Sequence, residues 1–577
     1  KISAPSAWDA ATDCTATVVA VIDSGADYEH PDFAANIWAN PAETAGDGID
    51  NDGNGYTDDT VGWDFVFDEG MPVDADGHGT HVAGSIAAVG NNARGVSGVC
   101  WSARIMVLRA FDAIGIGTVA DVVEAMQYAR SQGAGVVNAS YSGPDFSQAE
   151  QEAVSALNAA GILLVAAAGN GGLDNDQTPS YPASYGLANI ISVGATNPGD
   201  GLAGFSNYGL NSVHVAAPGI DVISTYPPEV EVLRADFETG AAGWTLDAPI
   251  GIARPGFESA WSLADSPGGS YSDGSNLSAV SPAFDLSARR SAVLDFFLRG
   301  HLLAGDTLWV ETAETSSGPW AAQRVWIQSL TTGAWQPFDS GVSGDSAGVW
   351  QPAEVNLGHL DGKPLAYFRF RIQTDASGTA DGYYLDDVAV SALGIGLDTY
   401  ESLSGTSMAS PHVSGLAALI WSANPGLAAL QVKSRILDCV DRLPDLSGKL
   451  FTAGRINASN SLQNIPAPPS RFAVAGASES KIQLGWDGNY SEAVSVKIER
   501  RESPGGAFTE IALVAPGTAA YQDTGVQASM SYSYRAQAFN GDNLSVYTSE
   551  ISAAAVSPSS GGGGGGGGCF INSLFAD

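Results

Sequence analysis

Four short strings, far apart in the chain, carry side chains suited to one reaction: AVIDSG at 20–25, GHGTHVAG at 77–84, AAAGN at 166–170 and SGTSMASPH at 404–412. They hold Asp23, His78, Asn170 and Ser407. A serine hydroxyl is a weak nucleophile until a neighbouring base takes its proton, and an imidazole titrates in the right range to do so. A carboxylate orients that imidazole and stabilises its cationic form. A carboxamide and a backbone N–H aimed at the attacked carbonyl stabilise the charge that builds on its oxygen. The set predicts acyl transfer to Ser407, with His78 as base and then acid, and Asp23 as its partner. Asn170 and the Ser407 N–H are the expected oxyanion donors.

Such a set needs rigid elements to hold it, and the flanking sequence supplies them. VVAVI (18–22), IMVL (105–108), VV (136–137), ILLVAAA (162–168) and IISVGA (190–195) are continuous apolar runs, as expected of parallel strands covered on both faces. Val119, Val122, Val123, Met126 and Ala129 recur at helical spacing, and Ser147 with Glu150 forms a capping-box pair opening the next helix. The alternation predicts βαβ units with right-handed crossovers. Asp23 then ends a strand at the carboxyl edge of the sheet, where such folds place chemistry. His78 opens a helix with Val82, Ile86 and Val89 inward. Ser407 opens another with Val413, Leu416, Ala417 and Ile420 inward. Pro411 is expected in or near that helix's first turn, where a missing N–H costs little.

These strings, in the order Asp, His, Ser, closely resemble those of the subtilisin-like serine proteases. The resemblance covers residues 1–227 and 398–465. It implies an α/β subtilisin-like catalytic domain, mostly parallel sheet with helices on both faces, that hydrolyses peptide bonds in proteins or peptides. An extended substrate is expected to add as a strand against 115–118 and Ser140–Gly143. Ser140, Tyr141 and Ser142 on one side and Ala167, Ala168 and Gly169 on the other are implied to wall the primary specificity pocket. The family usually has glycine where Ser142 stands, so this pocket is expected to be narrower or more polar. A signal peptide and an inhibitory folding propeptide are also implied, and neither lies in this chain, which opens on KISAPSAWD. The expected location is secreted or extracellular.

Calcium is the expected structural ion. GDGIDNDGNGYTDD at 46–59 offers hard oxygens at alternate positions from Asp50, Asp52 and Asn54, with Gly55 for the bend and the Tyr56 carbonyl. The twelfth position is Val61 and not glutamate, so this is no EF-hand, and Asp58 or Asp59 is expected to close the shell. The alternative is a solvated acidic turn. By resemblance, GNNARGV at 90–96 is a second calcium loop, using Asp32, the Asn92 side chain and the carbonyls of Val89, Arg94 and Val96.

At 577 residues the chain is too long for one core, and three or four domains are expected. Acidic residues outnumber basic ones 63 to 25, a formal charge of −38, which excludes a nucleic-acid partner and suits a soluble secreted protein. No run of 18 uninterrupted apolar residues occurs, so no membrane span is predicted. Four cysteines are too few for a disulfide-built scaffold. Cys14 and Cys100 precede strands that the resemblance makes neighbours, so they form either a bridge or two buried thiols.

Residues 228–397 interrupt the protease resemblance. AVLDFFL (292–298), TLWVETAE (307–314) and LAYFRFRIQTD (365–375) predict strands, and no helix is predicted. DFETGAAGW (236–244) and YYLDDVAVS (383–391) resemble jelly-roll domains. Trp244, Trp261, Trp309, Trp320, Trp326, Trp335 and Trp350 either pack these sheets or form a carbohydrate- or protein-binding platform. Because the insert joins the core beside Ser407, it is expected to restrict substrates on the leaving-group side. IPAPPS (465–470) marks a boundary. Beyond it, 466–557 resembles a fibronectin type III sandwich, with Trp486 in the core and Tyr532 or Tyr534 at a tyrosine corner. The Gly-rich segment 558–577, with Cys569, reads as a flexible tail resembling cell-surface sorting tails but lacking their hydrophobic helix. The rival to an active protease is a binding protein with a lapsed protease fold, and the four intact side chains argue against it.

Overall fold

A computed structural model describes residues 1–74, 76–490 and 494–556. The tail 558–577 with Cys569 lies outside the described residues. The apolar runs form β1 (Val18–Asp23), β2 (Gly62–Asp64), β3 (Arg104–Arg109), β4 (Val136–Ala139), β5 (Leu163–Ala167), β6 (Ile190–Thr196) and β7 (Val215–Pro218). They are parallel and ordered β2-β3-β1-β4-β5-β6-β7. The chain winds outward in both directions from the β1–β4 pair, which opens a crevice at the carboxyl ends of these strands. Asp23, the last residue of β1, stands at that crevice.

The runs are apolar throughout because both faces are covered. Val19 and Val21 pack with Ile86, Val413 and Leu416. Ala20 and Ile22, on the other face, pack with Val122, Met126 and Leu157. The predicted helices form at His78–Ala87, Val119–Ser131, Gln148–Ala159 and Thr406–Ala423. Val89 falls beyond its helix, which ends at Ala87. Ser147 accepts the Glu150 N–H, but the Glu150 carboxylate accepts a hydrogen bond from the Tyr185 hydroxyl (2.6 Å) and does not return to Ser147. The reciprocal box lies one helix earlier, between Thr118 and Asp121. Cys14 and Cys100 form a disulfide, their Cα atoms 6.2 Å apart.

The insert springs from a two-stranded stem, Val222–Tyr226 antiparallel to Thr399–Leu403, with Tyr226 opposite Thr399. Beyond it are two antiparallel sheets that bury Leu294, Leu308, Phe368, Phe370 and Val390 between them. The insert docks firmly on the catalytic unit. Arg290 pairs with Asp27 (2.7 Å) and Glu29 (3.0 Å), Asn356 donates to Glu69 (2.8 Å), and Trp326 packs on Phe67 at 5.2 Å.

Asp295 and Glu354 stand directly opposite each other in this insert, and like charges so placed repel. Burial, with the charge of Glu229, raises Asp295 to about 7, and burial with the charge of Asp295 raises Glu354. Glu69 at the docking face rises to about 7 through burial and the nearby Asp64. Each group binds its proton more tightly in the folded chain, so the contributions of Asp295 and Glu69 fall as pH climbs from about 4 through about 7, and that of Glu354 falls in the same direction. The melting temperature should therefore drop between about pH 4 and 7, and Glu354→Gln should flatten that slope. An identical slope in the variant would contradict this account.

The strands Ala473–Ser478, Lys481–Gly485 and Ala520–Asp523 form one sheet, and Ser495–Glu502, Thr509–Val514, Ser531–Phe539 and Ile551–Ala554 a second, around Trp486, which is 1% exposed. The Tyr532 hydroxyl accepts the Gln527 N–H at 2.9 Å.

Candidate active site

His78 is placed by a carboxylate that sequence reasoning passed over. Asp74 is buried; its Oδ1 accepts from the Ser24 hydroxyl (2.8 Å) and the Gly77 N–H (2.8 Å), and its Oδ2 from the Thr80 N–H (2.7 Å) and hydroxyl (2.6 Å). These bonds satisfy first-turn donors of the His78 helix and tie it to the end of β1. Gly77, at φ 96°, makes the turn into it, and a Cβ there would strike the Tyr226 ring. The result is a contact of 2.7 Å between His78 Nδ1 and Asp23 Oδ1. Burial alone would lower the imidazole pKa, but the charge and hydrogen bond of Asp23, with Asp76 and Asp74 behind, raise it to about 9.

Ser407 is the second residue of its helix. Pro411 lies inside that helix, past the first turn, and has no N–H for the Ser407 carbonyl four residues back. The Ser140 hydroxyl donates to that carbonyl instead, at 2.9 Å. Asn138 donates to Ser140 Oγ (2.8 Å), and Ser414 donates to Asn138 Oδ1 (2.7 Å). This polar seam pins the helix to β4. The Ser407 hydroxyl donates to the Ser140 carbonyl at 2.7 Å, so its proton is turned from the imidazole by a rotation about one side-chain bond.

Asn170 spends its Oδ1 on the Thr406 N–H (2.8 Å) and hydroxyl (2.9 Å). Its Nδ2 is thereby left as a donor toward the cleft. A Cβ on Gly405 would lie 3.4 Å from Asn170 Nδ2 and 3.6 Å from the Ser407 N. The missing side chain leaves room for one atom near both donors.

These residues line a cleft of about 620 Å³, walled by Phe111, residues 115–119 and Ser140–Gly143. Ile116 and Val119 are 46% and 49% exposed there, and Tyr141 packs on Phe111 at 5.0 Å. Ser140 contributes backbone, since its side chain is buried in the seam. Ala167, Ala168 and Gly169 are buried. Ala167 ends β5, Ala168 packs with Val213 and Leu450, and the Gly169 N–H donates to Thr406 Oγ1. They are buried supports that present Asn170.

In the acidic loop, Asp52 and Asp59 meet Glu43, their oxygens all within 4.8 Å of one another. Glu43 Oε2 is buried with no hydrogen-bond partner, and burial raises Asp59 although Tyr128 and Asn54 donate to it. Uncompensated carboxylates of this kind suit a hard divalent cation. Asp50 is not among them, because it accepts the N–H groups of Gly53, Asn54 and Gly55 and so closes the turn. Asn54 Oδ1 is taken by the Tyr56 N–H, and the Tyr56 ring packs on Trp63 and Tyr128. Glu43 escaped the sequence reading because it lies outside the alternating pattern, and only the loop's fold brings it in.

At 89–96 the neighbours come together as hydrogen-bond partners. Asp32 accepts from Asn92 (2.6 Å), the Val96 N–H (3.0 Å) and Tyr400 (3.1 Å). The Arg94 N–H takes Asn92 Oδ1, and the Val89 N–H takes the Asp32 carbonyl. Both carboxylate oxygens are thus occupied.

The insert's tryptophans serve packing. Trp244 lies among Phe237, Phe368 and Phe370, Trp326 and Trp335 meet Phe67, and Trp261, Trp309 and Trp320 each lie beneath an arginine. Trp350 packs on Phe257.

Residues 15–242 and 376–460 match the Subtilase family. The chain is 39% identical over 219 residues to the thermophilic serine proteinase of Bacillus sp. (strain AK1), a stretch covering 38% of this chain and 48% of that one. The alignment thus spans about half that relative's length. Identity to thermitase of Thermoactinomyces vulgaris is 38% over 227 residues, covering 39% of this chain and 71% of thermitase. Among solved structures, a protease from Pseudoalteromonas arctica overlays 80% of this chain and 94% of that one, at 21% identity and a TM-score of 0.42.

Proposed function

Because the chain belongs to the subtilase family, we propose that it is a secreted serine endopeptidase acting through an acyl-enzyme, with calcium as a structural ion. The observation that carries this reading is the 2.7 Å contact of His78 Nδ1 with Asp23 Oδ1, in a cleft also lined by Ser407 and Asn170. A peptide lies as an added strand between 115–118 and Ser140–Gly143, with its acyl portion along both edges. Ile116, Val119 and Tyr141 make that side of the cleft apolar and favour apolar side chains before the cut.

The Ser407 hydroxyl swings from the Ser140 carbonyl to His78 Nε2, gives up its proton and bonds to the peptide carbonyl carbon. The oxyanion settles before Gly405, between Asn170 Nδ2 and the Ser407 N–H. Asp23 stabilises the imidazolium, which passes its proton to the leaving nitrogen as the C–N bond breaks. Water, deprotonated by His78, then releases the acid product and restores Ser407. The base must be neutral, so kcat/KM should rise about tenfold per pH unit toward about 9. Asp76→Asn should shift that limb downward, because it removes one of the charges raising the pKa. A rate already level at pH 7 would contradict the raised pKa, and a rate unchanged down to pH 4 would contradict the role of His78 as base.

Glu43, Asp52 and Asp59 would hold calcium, with Asp50 shaping the turn; a second ion at Asp32, Val89, Asn92, Arg94 and Val96 would first have to displace hydrogen bonds. Bound calcium supplies a cross-link between residues 43 and 59. Chelation should lower the melting temperature by roughly 5–10 °C, and Glu43→Gln should remove that sensitivity. A chelator-insensitive wild type would refute the site.

The Cys14–Cys100 bridge supports an oxidising, extracellular location. The accessory units read as a jelly-roll-like insert and a fibronectin type III-like module, the latter supported by Trp486 and the Tyr532–Gln527 hydrogen bond. The deciding experiment is labelling with a fluorophosphonate. The wild type should be labelled at Ser407 and Ser407→Ala should not, whereas an unlabelled wild type points to a lapsed site.

A further inference from the structure

The insert meets the wall of the cleft at a buried carboxylate. Asp112 is 1% exposed. Its Oδ1 accepts the N–H groups of Ile114 (3.1 Å) and Ile116 (2.9 Å), and its own N–H donates to the Ile116 carbonyl (2.9 Å). One oxygen therefore folds the turn that leads into the cleft wall at 115–119. The other oxygen belongs to the insert. Asp112 Oδ2 accepts from Gln328 Nε2 (2.8 Å) and Trp335 Nε1 (3.2 Å), which end and begin the paired strands Val325–Gln328 and Trp335–Phe338.

Both donors are held in place. Gln328 Nε2 also donates to the Gly333 carbonyl (3.2 Å), and the Trp335 ring meets Phe67 edge-on at 5.4 Å. Phe67 lies under the Arg109 guanidinium, which pairs with Asp64 at 3.0 Å. The loop they hold is closed by Asp112 Oδ1, and the insert's two donors fix Asp112 in turn. The loop contains Gly115 and Gly117, and Ile114 is 70% exposed.

We propose that Gln328 and Trp335 are positioning residues that clasp Asp112 and so set the distance of the 115–118 edge from Ser140–Gly143. In this way the insert selects for extended peptides. The inference rests on the proposed endopeptidase function. It places the insert's influence on the acyl side of the cut, where 115–118 lies, and not on the leaving-group side that the sequence suggested. A substrate long enough to pair with that edge needs the clasp, whereas one filling only the primary pocket does not.

The test is the double variant Gln328→Ala/Trp335→Phe, which removes both donors and keeps the aromatic packing on Phe67. The kcat/KM for a peptide amide with four residues before the cut should fall at least tenfold, mainly through KM. Hydrolysis of a single-residue acyl ester should stay within twofold. Equal losses on both substrates, or no loss on the long one, would overturn the proposal. Hydrogen exchange supplies a readout independent of turnover. Amides of 113–118 should exchange at least tenfold faster in the variant, with the Ser407 helix unchanged, and unaltered exchange there would also overturn it. Failure of wild-type fluorophosphonate labelling would instead strike the endopeptidase reading, while exchange would still decide the clasp.

Discussion

Replacing Ser407 with alanine should lower peptide-amide turnover by about 10⁶-fold while KM stays within a few-fold; the magnitude is that of subtilisin and is carried over from it. The methyl group of alanine fits wherever the hydroxymethyl does, and the helix keeps its anchor because the Ser140 hydroxyl bonds the carbonyl of residue 407, not its side chain. What disappears is the atom that forms the bond. His78→Ala should cost nearly as much, and the double variant little more, because hydroxyl and imidazole act as one unit. Steady-state kinetics on one peptide amide measures all three. Retention of more than about one per cent of turnover in Ser407→Ala would mean that another group attacks the substrate.

Asn170→Ala should reduce kcat by about 10²–10³-fold with KM nearly unchanged, the size known for the corresponding subtilisin amide. Alanine also strands the Thr406 N–H, so a loss there mixes chemistry with local distortion. Asn170→Asp separates the two. Its carboxylate keeps both bonds to Thr406 but offers the oxyanion a negative charge in place of a donor. It should be at least as slow as the alanine variant while melting closer to the wild type. An aspartate variant of near-normal turnover would remove Asn170 from the mechanism.

The candidate catalytic residues were readable because each sits in a contiguous string whose neighbours also dictate its element. Asp23 follows a fully apolar run, and Ser407 follows a glycine and precedes a helical one. The sheet was legible for the same reason, since strands covered on both faces leave no polar alternation to misread. What escaped depends on chain segments meeting. Asp74 looks like another loop acid until Ser24 and Thr80 converge on it. Glu43 has no periodic relation to Asp52 and Asp59. Pro411, read as a first-turn residue, is tolerated deeper because Ser140 supplies the missing donor from another strand. The alanines at 167 and 168, a pocket wall by resemblance, are buried, Ala168 against Val213 and Leu450. Asp112, Gln328 and Trp335 meet across two folding units, which no local pattern announces.

The antiparallel stem at Tyr226 and Thr399 has a bearing on biosynthesis. The sheet's first seven strands emerge from the ribosome well before Met408, Val413 and Leu416, which cover one of its faces. At 5–20 residues per second, the nucleophile trails residue 227 by roughly 10–40 s. A nascent chain in that interval carries imidazole and carboxylate but has nothing to attack with. Once the intervening module has folded, its two ends lie a single strand spacing apart, about 4.8 Å. Joining the halves then costs far less chain entropy than closing a loose loop of that length. Maturation of the nucleophile thus waits on a part of the molecule that contributes none of the four candidate catalytic side chains, so damage to that part should silence the enzyme at birth.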